Sequence, residues 1–437
     1  MPDMKNRSKN WRTLLTVAAS TAALAACAAI PNLGPGPELA APSHLASARS
    51  FAAAETTWPS DRWWESFGDT QLNTLIDEAL ADSPTLAVAA ARLRQARAAA
   101  EQAGSARYPN IAGQASGNAV HQDLSGDNLP AAINSALPDD WTTQSNTALR
   151  LDYAIDFFGR NRAQFAAALS QSKAAAAEAA EARLELSTAV ALTYAEFVRL
   201  AADRQAAEDA VQVREASARL VARRVANGLE SQAPAHQAQS ELERARAELI
   251  AVDAAIARTR NELAALLGKG PDRGLEVIAP QAPHALATGL PPQVGLDLIG
   301  RRPDLVAARL NAEAAAQRIN VARADFYPNI NLSAVVSFQT LGIDAIGGGN
   351  LSAASIGPAL SLPIFSGGRL QGAYRGARAE YDASVALYDQ TLANALRDVA
   401  NAFSGRRAIE QQLQQQRAAL HDAEEAYRLV RLRYQGG

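Results

Sequence analysis

The chain has 437 residues, 48% of them hydrophobic but only 5% aromatic, so its apolar content is largely alanine. A net charge of −3 offers no basic face for nucleic acid. The histidines at 44, 121, 236, 284 and 421 lack metal-ligand spacing, and the single cysteine, Cys27, cannot form an internal disulfide.

Residues 1–26 run basic (Lys5, Arg7, Lys9, Arg12) and then apolar and small from Leu14 to Ala26, the layout of a signal peptide and too short for a spanning helix. Leu24-Ala25-Ala26-Cys27 resembles a bacterial lipobox, which implies that Cys27 is acylated and becomes the new N-terminus; a chance cysteine in an apolar segment is the alternative. Ala28, where that pattern can carry aspartate, implies onward export to the outer membrane. Residues 27–62 would then be a lipidated N-terminus and extended linker. No later segment supplies the roughly 18 uncharged apolar residues of a membrane helix. An exported chain of this kind is either periplasmic or crosses the outer membrane as strands.

A first structural repeat is expected over 63–268. A helix over 84–107 opens at Pro84, a residue favoured in the first turn. Pro109 pushes Tyr108 towards extended geometry and stops it. Strands are expected over 110–120 and 144–157; in the second, Leu149, Leu151, Tyr153, Ile155 and Phe157 interleave with Arg150, Asp152, Ala154 and Asp156. From Arg162 to Ala226 there is neither proline nor glycine, so one helix of 65 residues, about 97 Å, is expected. Asn227, Gly228 and Leu229 form a tip, and a helix returns over 231–267. An inter-repeat segment, 269–300, leads to a second repeat over 301–437. There Tyr327 and Pro328 repeat the junction, strands span about 329–340 and 353–365, and a long helix spans 369–434. Alternation alone fits a small soluble sheet as well as tilted membrane strands.

The two repeats align. Pro84 matches Pro303 and Tyr108 matches Tyr327 at an offset of 219, whereas Arg160 matches Arg369 at 209. Register kept on both sides of one length change points to duplication, with a shorter inter-strand loop in the second copy. The helix lengths then predict a hairpin-built rod in which two shorter helices run beside each long one. A dimeric coiled coil would need one narrow apolar seam, which is not found.

The stretches 63–80, 151–168 and 301–334 resemble the NodT-type branch of the TolC outer-membrane factor family, and the match covers nearly the whole chain after the signal peptide. The resemblance implies a mixed membrane α/β fold. Four antiparallel strands per protomer would enter a homotrimeric 12-stranded β-barrel, and long antiparallel helices would form a periplasmic α-barrel. It further implies passive export, coupled to a periplasmic adaptor and an inner-membrane pump. Loops 121–141 and 341–352 would face the exterior, and Arg150, Asp152 and Asp156 would line the lumen. The adaptor-facing tip would comprise Asn227, Gly228, Leu229 and Ser231 with Tyr434, Gly436 and Gly437. Tyr434 matches a tyrosine that helps close the tip in some members, while the acidic partner that some members carry six residues after the first tip glycine is absent, that position being Pro234.

No enzymatic activity, cofactor or metal is expected; the glycine run at 347–350 lacks the Lys-Ser/Thr of a phosphate loop. The alternative function is a lipid-anchored periplasmic rod that tethers envelope layers without conducting. Carried over by the 209 offset, the helix end near Gly268 falls at 477, so the expectation is either that a further helix resembling 231–268 follows Gly437 or that the 437-residue product does not support efflux.

Overall fold

The computed structural model describes residues 30–41, 45, 58–121, 141–279, 300–341 and 351–435. The signal-peptide stretch, Cys27, the connectors 122–140 and 342–350, residues 280–299 of the inter-repeat segment, and Gly436 and Gly437 lie outside the described residues.

After a single 3-10 turn, Trp63–Phe67, the elements are α1 (Thr70–Asp82), α2 (Pro84–Ser105), β1 (Asn110–His121), β2 (Trp141–Ile155), α3 (Arg160–Ala226), α4 (Gln232–Leu266), α5 (Asp272–Leu275), α6 (Pro303–Ala324), β3 (Asn329–Leu341), β4 (Leu351–Ser361) and α7 (Arg369–Gln435). The duplication is written in their ends. Helices α2 and α6 each have 22 residues and are offset by 219 at both ends. Helices α3 and α7 each have 67 residues and are offset by 209 at both ends. Both Tyr-Pro-Asn-Ile segments hand a helix to a strand that starts at the asparagine, Asn110 and Asn329. The connectors 122–140 and 342–350 differ by ten residues, which accounts for the whole drop in offset.

Several boundaries differ from the alternation pattern. Strand β2 begins at Trp141, not 144, and ends at Ile155, before Asp156 and Phe157. Strand β4 runs over Leu351–Ser361, not 353–365, so Leu362 and Ile364 fall outside it. Pro363 carries no ladder donor, and Gly367 and Gly368 take φ of 57° and 86°, which turns the chain into α7. Helix α2 stops at Ser105, before 107, because a tight turn follows in which the Arg107 and Tyr108 amides donate to Gly104 and Ser105 carbonyls. Helix α3 starts two residues before 162.

Two compact units make up the chain. Among the described residues, the first comprises 30–39, 95–121, 141–174, 308–341 and 351–389 and contains the sheet. Its strands form an antiparallel meander in the order β1-β2-β3-β4, with β2 and β3 joining the two repeats. Buried residues here are mostly small and helical, such as Ala163, Ala167, Ala312, Ala314 and Ala315, which lets helices approach closely. No described strand residue is buried.

The second unit comprises, among the described residues, 40–41, 45, 58–94, 175–279, 300–307 and 390–435. Its core gathers Trp64, Leu72, Leu75, Ile76 and Ala79 with Leu186, Val190, Tyr194 and Phe197 of α3 and Ile256 and Leu263 of α4. Asp69 caps α1, accepting from the Gln71 and Leu72 amides at 2.8 and 3.0 Å. Gly274 of α5 lies so close to α4 that a Cβ there would meet the Arg260 carbonyl oxygen at 2.3 Å.

Candidate conduit surface and helix tip

Strand register sorts the side chains into two faces, because residues directly opposite in an antiparallel pair project to the same side. Ile111 pairs with Leu151, Leu151 with Ala334 and Ala334 with Ile356; Leu149, Val336, Leu332, Phe338 and Leu360 follow the same parity. That face is apolar. On the other, Asn110 pairs with Asp152, Asp152 with Ser333 and Ser333 with Gly357, and Gln114, Ser116, Asn118, Asn146, Ser337 and Gln339 join them. That face is polar. Neither is covered: no described strand residue is buried, and Leu149, Ile356 and Leu360 of the apolar face are all more than half exposed.

Arg150 and Asp152 lie on the polar face and form a two-pronged ion pair, Nε to Oδ2 at 2.6 Å and Nη2 to Oδ1 at 3.1 Å. Asp156 keeps their parity but is not in the strand. It lies one residue past β2, where its carboxylate accepts from the Asn161 and Arg162 amides at 3.1 and 2.9 Å. It therefore anchors the first turn of α3, where amide donors have no helical partner.

At the junctions, Pro109 and Pro328 separate helix from strand as expected, but the two tyrosines differ. Tyr108 is exposed. Tyr327 stacks on Phe158, with ring centroids 4.7 Å apart and planes 11° from parallel. Beside it Arg160 pairs with Asp325 at 2.6 Å. Phe158 was not legible as a partner, because the two residues are 169 positions apart and meet only in the folded chain.

At the first tip, Asn227 closes α3 and Gly228 takes φ of 69°. The Gly228 amide donates to Val225 and the Leu229 amide to Arg224, at 2.9 and 2.8 Å, which is the Schellman closure of a helix end. Leu229 is exposed, and Ser231 precedes α4 with φ −83° and ψ 168° but no side-chain cap bond. Tyr434 lies in the last turn of α7, and nothing is described of its side chain.

Two arrangements escaped the sequence pattern. The spacing of Leu72, Leu75, Ile76 and Ala79 after a capping Asp69 is a helix signature that marks α1. The extended segment 30–41 carries no such signal, yet its Gly34 and Pro35 carbonyls accept from Arg378 at 3.2 and 2.6 Å, and Pro37 accepts from Tyr381 at 3.0 Å.

A strand sheet with one apolar and one polar face, carried with two uninterrupted 67-residue helices, matches known proteins along most of its length. The sequence profile described as outer membrane efflux protein matches residues 75–269 and 296–437. The chain belongs to the outer membrane efflux protein family. The multidrug resistance outer membrane protein MdtP of Escherichia coli is 29% identical to this efflux protein over 91% of the chain and 82% of its own length. The fusaric acid resistance protein FusA of Burkholderia cepacia is 35% identical, over 84% of the chain and 69% of its own length. The solved outer membrane protein VceC of Vibrio cholerae superposes with a TM-score of 0.77 at 39% identity, covering 87% of this chain and 89% of that one. This efflux protein resides in the outer membrane and is an export channel component of that fold, with four antiparallel strands and long helices.

Proposed function

We propose that three copies of this chain close a single twelve-stranded barrel and that cargo leaves through it passively. The observation that carries this is the sheet: apolar on one face, polar on the other, buried on neither, and ending in β1 and β4. Four strands cannot close a barrel, and an open strand edge in lipid costs several kcal/mol per unsatisfied backbone group. Three sheets of four remove every edge, place the apolar face against lipid and turn Arg150 and Asp152 to the lumen.

The helices then extend into the periplasm as an α-barrel. Exposed apolar residues along them, including Val213, Leu220, Ile250 and Leu420, support packing against further copies. The tip (Asn227, Gly228, Leu229 and Ser231 with Tyr434, Gly436 and Gly437) meets a periplasmic adaptor fed by an inner-membrane pump. Residues 1–26 are removed on export, and acyl groups on Cys27 hold the N-terminus in the outer membrane. Relatives named for multidrug and fusaric acid resistance support small organic molecules as the cargo.

Reconstitution of the purified protein into planar bilayers tests the reading. Discrete conductance steps are expected, together with chemical cross-linking that stops at three chains. Folded protein that inserts nothing and conducts nothing would leave the tethering rod as the function.

A further inference from the structure

Between the ends of α3 and α6 that adjoin the sheet lies an open groove of about 610 Å³, within the roughly 300–1,000 Å³ usual for small-ligand sites. Arg162, Gln317, Asn320 and Arg323 line it together with the stacked Phe158 and Tyr327. Ala163 and Ala166 of α3, being small, leave room for it.

Its charge is one-sided. No carboxylate lines it. Arg162 reaches the Asp156 carboxylate only at 3.4 Å, and the Arg323 guanidinium has no hydrogen bond or ion pair among the described residues. The neighbouring Arg160 is instead matched by Asp325 at 2.6 Å. Asn320 donates to Gln317 at 3.1 Å, and both amides keep further hydrogens to donate. The fold does not require this set. Shifted by the repeat offsets, Arg162 falls on Gln371, Arg323 on Gly104, Asn320 on Glu101 and Phe158 on Gly367.

An ion pair shows which way the groove faces. Residues two apart on a helix point about 200° apart. Arg318 of α6 pairs with Glu380 of α7, so Asn320 and Arg378 share the opposite side of this helix pair. Arg378 there holds the segment 30–41 through the Gly34 and Pro35 carbonyls. Gly34 follows Cys27 by seven residues, about 25 Å of extended chain. With acyl groups on Cys27 in the bilayer around the barrel, this side faces away from the lumen. Its level is set as well. Phe158 lies three residues after β2 and Tyr327 two before β3, where the apolar strand face ends. Both strands are central in the sheet, so copies joined at β1 and β4 leave the groove uncovered.

We infer that this groove binds the headgroup of an anionic phospholipid in the periplasmic leaflet, Arg162 and Arg323 meeting the phosphate and the Phe158–Tyr327 stack the glycerol and the start of the acyl chains. This rests on the barrel and lipid-anchor readings and adds a ligand to them.

Photolabelling tests the site in the full chain. The protein is reconstituted into phosphatidylethanolamine–phosphatidylglycerol vesicles holding a trace of phosphatidylglycerol with a photoreactive headgroup, and labelled peptides are mapped. Label should concentrate in 158–166 and 317–327 and fall about tenfold in the double variant Arg162→Gln with Arg323→Gln. Arg162→Lys with Arg323→Lys should retain most of it, and Arg318→Gln, on the opposite side, should leave it unchanged. Excess inorganic phosphate should not compete. Conductance of the same vesicles distinguishes the two readings. Channels that conduct while these peptides take no label, or take it equally without the arginines, would overturn the lipid site and leave the barrel. Displacement by inorganic phosphate would replace the lipid with a free anion. Altered conductance with unchanged label would place the arginines in the lumen. Vesicles that never conduct would remove the barrel and this site with it.

Discussion

Gly228 and Gly268 hold nearly the same backbone angles, φ of 69° and 70°, and both close a helix by the Schellman pattern. Their surroundings differ. A Cβ at Gly228 meets nothing within 4 Å, whereas at Gly268 it would lie 2.8 Å from Pro84 Cδ and 3.1 Å from the Asp82 carbonyl oxygen. Gly228→Ala should therefore cost only the left-handed penalty, about 1–2 kcal/mol, and Gly268→Ala distinctly more. Thermal unfolding of the two variants in detergent, compared at one pH, checks the order. Tyr194 shows a second residue-scale coupling. Its hydroxyl donates to Asp69 at 2.8 Å and accepts from Gln71 Nε2 at 3.0 Å. Burial first, and then the bond to Asp69, push its phenol well above the usual tyrosine range. A group raised in the folded state contributes stability in full below its unfolded pKa, about 10, and that contribution is lost as pH rises further. The unfolding midpoint should fall between pH 9.5 and 11.5 in the native chain, and fall less steeply in Tyr194→Phe.

At the scale of elements, the polar residues near the end of β2 divide into two roles that one pair of substitutions separates. Asp156→Ala removes two amide acceptor contacts from the start of α3 and should cost about 1–2 kcal/mol of stability. Because Asp156 lies beyond the strand, single-channel ion selectivity should be unchanged. Arg150→Gln should do the opposite, shifting the reversal potential in a salt gradient towards cation preference while leaving thermal stability nearly intact. A selectivity shift in Asp156→Ala would return that residue to the lumen. The two sheet faces can be told apart in the same way. Val336→Arg puts a charge on the apolar face and should cost about 2–4 kcal/mol near mid-membrane, whereas Ser337→Arg, one residue on, should be tolerated. Recovery of heat-modifiable protein from outer membranes measures both.

For the whole molecule, membrane residence has two proposed sources, the strands and the acyl groups on Cys27. Cys27→Ser should abolish fatty-acid labelling but still allow trimers to insert, because the apolar strand face alone satisfies the bilayer. Unchanged labelling would remove the lipid anchor, and loss of insertion would make that anchor essential to assembly. The adaptor proposal has its own measurement at this scale. Gly228→Val should reduce adaptor cross-linking more than barrel assembly, since a β-branched residue resists positive φ at the tip.

Sequence by itself determined the features that one or two residues impose on their own backbone. Pro84 and Pro303 open 22-residue helices. The Tyr-Pro-Asn-Ile segments end them and start strands at Asn110 and Asn329, and Gly228 supplies the turn after Ala226. Duplication was legible for the same reason, since a repeated local signal keeps its spacing. Tertiary structure decided what depends on partners far along the chain. The β2–β3 pairing joins the repeats into one sheet and shows which alternating face is continuous, and beside it Tyr327 stacks on Phe158. Asp156 kept the parity of a strand residue but was taken by the α3 amides, and Ile364 kept it without a neighbouring strand to pair with. Periodicity states which side chains share a face; hydrogen-bond partners decide where the strand ends.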